Sequence, residues 1–274
     1  MNVICYRTGE LPAHIYGDNI SIELYMQEFD LREYLRIHYQ GISVDFFRFP
    51  GNYGDSLIWH GTKKILSLLN ISVTYVDINS KQSNDVLFID GGGNLVDYYS
   101  DIKNFLIAKS SLYRQIVILP HTIFGQRQIE VLNSITIELT VFCREKVSAE
   151  FLKKNLTRGN VFLWHDCAFY NEFSKDSAGE GILNAFRTDK ESTLMSLPDF
   201  NIDISHSGYA MKPLDELLTA LRPYKQVNTD RLHVGIAAAL LNKEVRLYAN
   251  SYYKNEAVFD YSLREFANVQ FIKK

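Results

Sequence analysis

The sequence is poor in cysteine and contains no long apolar run. Its 3 cysteines, Cys5, Cys143 and Cys167, are odd in number and widely spaced. This argues against a disulfide framework or a zinc motif and favours reduced, partly buried thiols. No apolar run reaches the roughly 20 residues of a transmembrane helix. Residues 1–12 lack the basic head and apolar core of a signal peptide, so we expect a cytoplasmic protein with no integral membrane segment.

An excess of charge of either sign is also missing. The 29 Lys and Arg residues against 32 Asp and Glu residues leave a formal net charge of −3 over 274 residues, without the basic excess of a nucleic-acid scaffold. We therefore expect no nucleic-acid partner, although this balance is compatible with a local basic pocket for a small anion. Only 2 Trp are present, but 17 Tyr and 17 Phe residues predict an aromatic-rich core.

Short apolar runs alternate with amphipathic segments, which is typical of βαβ units. A first series occupies residues 44–164, and a second follows a polar linker at residues 170–180. We expect an α/β protein with two domains, at residues 1–172 and 173–274, the second of them short. A helix at residues 255–266 is predicted to pack back onto the first domain. The predicted strands are 44–49, 72–76, 85–90, 115–119, 138–143, 161–164, 181–186, 200–204, 225–227 and 244–248.

Two glycine-containing blocks follow predicted strands and are candidates for ligand contact. Their sequences are GNYGD (51–55) and DGGGNLVD (90–97), and neither is a Walker loop or a dinucleotide fingerprint. Glycine at a strand–helix junction lets backbone N–H groups approach an anion. Asp55 is either the N-cap of a helix starting at Ser56 or a site residue, whereas consecutive glycines favour ligand contact over a plain turn. The candidate ligand-contact residues are Gly51, Asn52, Gly54, Gly92, Gly93, Asn94 and Asp97.

Three further blocks place polar or charged side chains at predicted strand ends. In PHT, which ends a strand, His121 and Thr122 either pack internally or line the same edge as the glycines. In CREK, Arg144 can fork onto a carboxylate or phosphate, and an ordinary surface charge run is the alternative. In FRTD, a structural ion pair between Arg187 and Asp189 is favoured over substrate contact.

The TDRLH block at residues 229–233 leads into a small-residue helix. We expect Thr229 and Asp230 to cap this helix and to aim Arg231 and His233 along one helix end. Such an arginine can hold an anion, and such a histidine can exchange a proton near neutral pH. The polar aromatic block after the last predicted strand is suited to sugar or phosphate contact, and its candidate residues are Asn250, Ser251, Tyr252 and Lys254.

In this order, the blocks resemble those of the polysaccharide pyruvyltransferase family. Each block is weak alone, but the ordered set covers the chain from Val44 to Asn255. The resemblance implies two Rossmann-like domains facing a cleft, similar to the B-type glycosyltransferase architecture. It also implies that pyruvate passes from phosphoenolpyruvate to two hydroxyls of a sugar, giving a cyclic ketal and free phosphate. The blocks are GNYGDSLI, DGGGNLVD, LPHT, CREKVS, FRTD, TDRLH and NSYYKN.

The resemblance also assigns roles. Arg231 and His233 would sit at phosphoenolpyruvate, with Arg144 reaching it from the first domain. His233 is the candidate acid that protonates the methylene carbon, and Asp55 or Asp97 would orient or deprotonate the acceptor. The implied partners are phosphoenolpyruvate, as co-substrate, and a sugar or glycan, free or lipid-linked. In the latter case we expect the protein at the membrane surface. No other cofactor and no metal is expected, since no carboxylate–histidine cluster is evident.

Some features depart from the family pattern and leave alternatives open. His121 stands where a Gln is more usual after the Pro, Val234 stands where a small residue is common, and the chain is short. A B-type glycosyltransferase with a nucleotide-sugar donor is one alternative, although no acidic residue is placed to hold a ribose. A non-catalytic carbohydrate-binding relative is another. The aromatic residues expected beside a sugar are Tyr53, Tyr98, Tyr252 and Tyr253.

Overall fold

The computed structural model describes residues 28–49, 51–189, 191–192, 196–205 and 213–273. Its larger sheet has the strand order β2-β1-β3-β5-β6-β7, with β4 paired to β5, and every pairing is parallel. The strands are β1 (Ser43–Phe47), β2 (Ser72–Val76), β3 (Val86–Ile89), β4 (Gly92–Val96), β5 (Gln115–Phe124), β6 (Glu138–Cys143) and β7 (Asn160–Leu163). The helices of this part are α1 (Leu31–Tyr39), α2 (Tyr53–Leu68), α3 (Asp101–Lys109), α4 (Gln126–Ser134) and α5 (Lys146–Asn155).

A second parallel sheet follows an irregular segment at residues 171–181. Its strand order is β11-β10-β9-β8. The strands are β8 (Ile182–Asn184), β9 (Gln226–Thr229), β10 (Glu244–Tyr248) and β11 (Val269–Ile272), and the helices are α6 (Leu214–Leu221), α7 (Leu232–Leu240) and α8 (Lys254–Val258). The α/β class is therefore confirmed, as are most predicted strands. Strand β11 was not predicted, and at the predicted segment 200–204 the described residues form only an isolated bridge between Asn184 and Asn201.

One continuous apolar core links the two sheets. Leu57 and Ile58 of α2 belong to the same buried cluster as Leu218 of α6 and Ala237 of α7. A second cluster covers the other face of the larger sheet, under α3, α4 and α5. Strands β3, β5 and β6 are buried along almost their whole length, which explains their nearly unbroken apolar sequences. The first cluster holds α2 against the second sheet, so the strand ends of both sheets can contribute to one site.

The glycine-rich block differs from the prediction in two respects. Residues 92–96 form β4 rather than a loop, because their backbone pairs with residues 121–124 of β5. Strand β5 accordingly runs on to Phe124 instead of ending at residue 119. Pro120 lies where the neighbour of β5 changes from β3 to β4, a position that tolerates the missing N–H group.

The C-terminal segment contacts residues that follow β7. Helix α8 continues as a π-helical turn at Phe259–Leu263. There the ring of Tyr261 stacks on His165 at a centroid distance of 4.8 Å, and Ser262 Oγ lies 2.9 Å from His165 Nδ1. Within the described ranges, no helix combines the length and apolarity that a membrane span needs. Cys143 and Cys167 are buried free thiols, whereas Cys5 lies outside the described residues.

Candidate functional site

A cavity of about 540 Å³ lies where the carboxyl ends of strands from both sheets meet. This is the usual ligand position in parallel α/β sheets. Each of its sides comes from a predicted block, together with residues that the sequence did not single out. The lining residues are Phe49, Gly51, Asn52, Gly54, Asp55, Gly93, Asn94, Tyr99, Arg144, Arg187, Asp189, Glu191, Ser205, Arg231, Leu232, His233, Val234 and Lys254.

The GNYGD block opens helix α2 through a capping box. Asn52, not Asp55, is the N-cap: its side chain accepts from Gly54 N, and Asp55 Oδ2 accepts in return from Asn52 N at 2.9 Å. The helix therefore begins at Tyr53, three residues before the predicted start, because this reciprocal pair satisfies donors that the first turn leaves free. The carboxyl group of Asp55 also lines the cavity. Burial raises the pKa of Asp55, although His233 acts in the opposite direction.

The glycines of both blocks make room for side chains of the site. A Cβ at Gly51 would overlap the Asp55 carboxyl group, one at Gly54 would lie 2.7 Å from Nδ1 of His233, and one at Gly93 would lie 2.5 Å from Nη2 of Arg144. A non-bonded contact this short is not tolerated by any residue with a side chain. These glycines therefore allow the close approach of Asp55, His233 and Arg144 to the backbone.

Asp166 connects Arg144, which follows a strand of the larger sheet, to His233 of the second part of the chain. Its Oδ2 atom accepts from Nη1 of Arg144 at 2.7 Å and lies 3.3 Å from Nε2 of His233. Burial alone would raise the pKa of Asp166, but His233 and Arg144 hold it well below its usual range. The carboxylate is thus ionised and accepts from Nε2–H of His233. Nδ1 is then the ring nitrogen that is left for proton exchange, and it lies on the side of Gly54.

His121 and Thr122 lie behind the cavity instead of lining it. Both side chains are fully buried, since they belong to β5 and not to its end. Thr122 Oγ1 accepts from Nε of Arg144 at 2.8 Å, and His121 Nε2 lies 2.9 Å from Oδ1 of Asn94. Burial and the charge of Arg144 lower the pKa of His121 to about 3, so the ring is neutral. These residues orient Arg144 and Asn94, which do face the cavity.

A network of ion pairs occupies the side formed by the second sheet. Arg187 forks onto Asp189 at 2.6 and 3.0 Å and reaches Glu191 at 2.5 Å. Arg231 forks onto Asp203 at 2.5 and 2.7 Å and contacts Asp189 at 3.1 Å. Although burial acts in the opposite direction, Arg187 and Arg231 lower the pKa of Asp189 to about 2. The expected ion pair of Arg187 with Asp189 is present, and Arg187 lines the cavity as well.

Lys254 joins this network through Glu191. Its Nζ atom lies 2.9 Å from Oε2 of Glu191, which also accepts from the hydroxyl of Tyr99 through Oε1, and Asn250 Nδ2 lies 3.5 Å from Oε2. Burial lowers the pKa of Lys254 to about 8, against the raising effect of Glu191. Lys254 and Arg187 in turn lower the pKa of Glu191 to about 2, despite its burial. Glu191 therefore fixes cations from two different strand ends.

Several predicted site residues lie outside the cavity. Helix α7 begins at Leu232 with Arg231 as N-cap, so Thr229 and Asp230 do not cap it as expected. The hydroxyl of Thr229 instead accepts from Arg231 N, and Asp230 accepts from Arg187 N. Asp97 is exposed and lies against Gly125. The other predicted residues that do not line the cavity are Gly92, His121, Thr122, Asn250, Ser251 and Tyr252.

Sequence reasoning missed three carboxylates that shape the site. Asp166 follows the end of β7, and polar residues after the other strands are site candidates, so the same signal applies to Asp166. Glu191 and Asp203 lie in an irregular segment after β8, where no local pattern marks them. Across the described ranges, no group of three or more His, Cys, Asp or Glu side chains is arranged to hold a metal ion.

Comparison with known proteins agrees with the order of the blocks. Residues 52–252 match the family model described as polysaccharide pyruvyl transferase. The chain is 24% identical over 261 residues to "Putative pyruvyl transferase EpsO" of Bacillus subtilis (strain 168), an alignment that covers 76% of this chain and 81% of that protein. The crystal structure of a functionally uncharacterized protein from Klebsiella pneumoniae subsp. pneumoniae NTUH-K2044 is similar, with a TM-score of 0.74, 30% identity and coverage of 89% of this chain and 97% of that one. Since the family model matches most of its length, the chain belongs to the polysaccharide pyruvyl transferase family.

Proposed function

We propose that the protein transfers pyruvate from phosphoenolpyruvate to two hydroxyls of a sugar residue, forming a cyclic ketal on a polysaccharide or glycan precursor and releasing phosphate. The observation that carries this proposal is the convergence of Arg144, Arg231 and His233 on one cavity between two sheets. Phosphoenolpyruvate bears a carboxylate and a phosphate on three carbons, so its site needs several cationic donors within a short span.

The two arginines retain donors for such an anion. Arg144 uses Nε and Nη1 on Thr122 and Asp166, and its Nη2 has no hydrogen-bond partner among the described residues. Arg231 uses Nε and Nη2 on carboxylates, which leaves Nη1 without a partner in the same part of the chain. Both guanidinium groups are held rigidly by their partners, so they are preorganised to stabilise charge on the donor.

His233 would supply the proton that starts the reaction. Its Nδ1 atom delivers a proton to the methylene carbon of phosphoenolpyruvate, which leaves C2 with oxocarbenium character. One sugar hydroxyl then bonds to C2 and loses its proton, and a second hydroxyl bonds to C2 as the bond to phosphate breaks. The two hydroxyls release two protons. One replaces the proton that His233 gave to the methylene carbon, and the other leaves with phosphate. Asp166 would stabilise the protonated imidazole.

Asp55 would be the acceptor base. Of the two candidate carboxylates, Asp55 lines the cavity and Asp97 does not. Burial raises the pKa of Asp55, which makes it a better base than an exposed aspartate once it is ionised.

The test is incubation with phosphoenolpyruvate and a panel of galactosyl, mannosyl and glucuronosyl acceptors, with phosphate release and product mass as readouts. We expect acceptor-dependent phosphate release and one pyruvate ketal per product. Thermal stabilisation by UDP or GDP sugars, with none by phosphoenolpyruvate, would instead support a glycosyltransferase. Sugar binding without phosphate release for any acceptor would support a non-catalytic relative.

A further inference from the structure

We propose that a row of aromatic rings beside the cavity is the acceptor subsite, where a pyranose ring of the glycan stacks; this rests on the proposed function above. The row consists of Tyr98, Tyr252, Tyr253 and Phe124. Tyr98 follows β4, Phe124 ends β5, and the other two lie between β10 and α8. Ring centroids are 6.0 Å apart from Tyr98 to Tyr252, 5.8 Å from Tyr252 to Tyr253, and 5.6 Å from Tyr253 to Phe124.

The two ends of this aromatic row are exposed. Tyr98 is 63% exposed and Phe124 is 44% exposed, whereas Tyr252 and Tyr253 are partly buried between them. An aromatic ring left in water loses the stabilisation that its burial would provide. Here two aromatic rings at adjacent strand ends are exposed to water, on the side of the sheet where ligands bind in this architecture. A ligand that covers them would recover that stabilisation.

The aromatic row continues directly into the wall of the cavity. Lys254, which lines the cavity, has its Nζ atom 4.8 Å from the ring centroid of Tyr252. Tyr99, next to Tyr98 in the chain, also lines the cavity and is fixed by its hydrogen bond to Glu191. A sugar residue stacked on Tyr98 and Tyr252 therefore lies beside the space assigned to the donor.

The chemistry of the row suits a pyranose more than a flat apolar ligand. The C–H groups on one face of a pyranose are weakly electropositive and pack on the electron-rich face of an aromatic ring. Its hydroxyls need polar partners around the ring. Asp97 provides one: it is exposed, adjoins Tyr98, and its carboxyl group occupies the space that a Cβ at Gly125 would need. Gly125 has a φ of +119° and directly follows Phe124, so this carboxylate lies close to the backbone that carries Phe124.

The test compares acceptor and donor kinetics in Tyr98→Ala and Tyr98→Phe. We expect Tyr98→Ala to raise the acceptor KM on the order of tenfold with the phosphoenolpyruvate KM unchanged, and Tyr98→Phe to stay near wild type because it keeps the ring. Tyr75→Ala is the matched control, since Tyr75 is 55% exposed on β2 and lies outside the cavity lining. An acceptor KM in Tyr98→Ala within twofold of wild type would overturn the subsite and leave the proposed function standing.

Direct glycan binding separates the two proposals. The acceptor panel is titrated against the wild-type protein and Tyr98→Ala by ligand-observed NMR, with no phosphoenolpyruvate present. Binding that disappears in Tyr98→Ala supports the subsite, and it does so even if the wild-type protein releases no phosphate and the proposed function fails. Absence of glycan binding by the wild type, or equal binding by both proteins, overturns the subsite. The subsite is also overturned if Tyr98→Ala loses self-association of the protein and keeps glycan binding.

Discussion

The two sides of the cavity are lined by different kinds of residue. The first wall comes from the larger sheet and carries the three glycines of the cavity lining, Gly51, Gly54 and Gly93, beside Asp55 and Arg144. The second wall comes from the smaller sheet and consists mainly of charged side chains, with Arg187, Asp189, Glu191, Arg231, His233 and Lys254. The first wall thus provides close approach, and the second provides fixed charge. A small anion needs both, because its oxygen atoms must be reached from several directions at short distance.

The glycines of the first wall leave space for neighbouring side chains of the site. Gly54 leaves the space that Nδ1 of His233 needs, and Gly93 leaves the space that Nη2 of Arg144 needs. In the second wall, the charged side chains largely neutralise one another. Its arginines and lysine are paired with Asp189, Glu191 and Asp203, so the net charge of the site is far lower than its number of cations. The charge balance of the sequence is compatible with a local basic pocket, whereas the described part of the site carries cations that are largely paired with carboxylates.

The largest effect is expected on the second wall, from removal of His233, the proposed proton donor. His233→Ala should lower phosphate release from phosphoenolpyruvate, with acceptor present, on the order of a thousandfold. Donor binding should change little, because the arginines remain. The exposed His38 on α1 provides the control, and His38→Ala should be fully active. Undiminished phosphate release by His233→Ala would remove this residue from the mechanism.

The next effect concerns the stability of the second wall. Glu191→Gln leaves buried Arg187 and Lys254 without their shared carboxylate, and we expect the free energy of unfolding in urea to fall by about 3 kcal/mol. The pKa of Glu191 is lowered from 4.5 to about 2 in the folded state, so its contribution is present above pH 4.5 and is lost as the pH falls through 2. The difference between variant and wild type should therefore shrink from pH 7 to pH 3.

An exposed pair calibrates this measurement. Glu256 pairs with Lys273 at the surface, and Glu256→Gln should cost at most about 0.5 kcal/mol. Equal losses in the two variants would mean that the ion pairs of the second wall carry no special weight in the fold.

A smaller effect is expected from crowding of the first wall. Gly93→Ala forces Arg144 Nη2 to move, and we expect phosphoenolpyruvate affinity, measured by titration calorimetry, to fall about tenfold to a hundredfold. In the control Gly41→Ala, the added Cβ meets nothing within 4 Å, but Gly41 has a φ of +77°. That variant should lose about 1 kcal/mol of stability and keep its donor affinity. Unchanged affinity in Gly93→Ala would show that Arg144 does not need this approach.

The smallest effect is a pH step. Because the pKa of Lys254 is lowered to about 8, its positive charge is lost as the pH rises through 8. Phosphoenolpyruvate affinity should therefore fall several-fold between pH 7 and pH 9. Lys254→Arg keeps the charge throughout this range and should remove the step. The same decline in both proteins would assign the pH dependence to another group.

Part of the fold could be predicted from local sequence patterns alone. Strands β2, β6 and β10 occupy the predicted residues, because these runs are short and rich in β-branched and aromatic residues. Strand β4 was not predicted, since glycine has no intrinsic preference for a strand. It is a strand only because β5 offers an unpaired edge beyond Pro120. Local propensity could not contain that information.

The same division applies to the site. Arg144, Arg231, His233 and Lys254 follow predicted strands, and the parallel arrangement alone brings such positions to one edge of a sheet. Whether a given side chain faces the cavity or packs behind it depends on the residue at which the strand ends. A difference of one residue changes the outcome. That is why His121 and Thr122 are internal while Asn94 lines the cavity.

By itself, then, the sequence determined the parallel α/β class, the family and the order of the blocks, because hydrophobic periodicity and short motifs are local properties of the chain. Only the tertiary structure decided that Asp166 joins Arg144 to His233, that Glu191 joins Arg187 to Lys254, and that exposed rings adjoin the cavity. Asp166 is separated along the chain by 22 residues from Arg144 and by 67 residues from His233. Such relations arise when two sheets pack on one core, an event that no local pattern encodes.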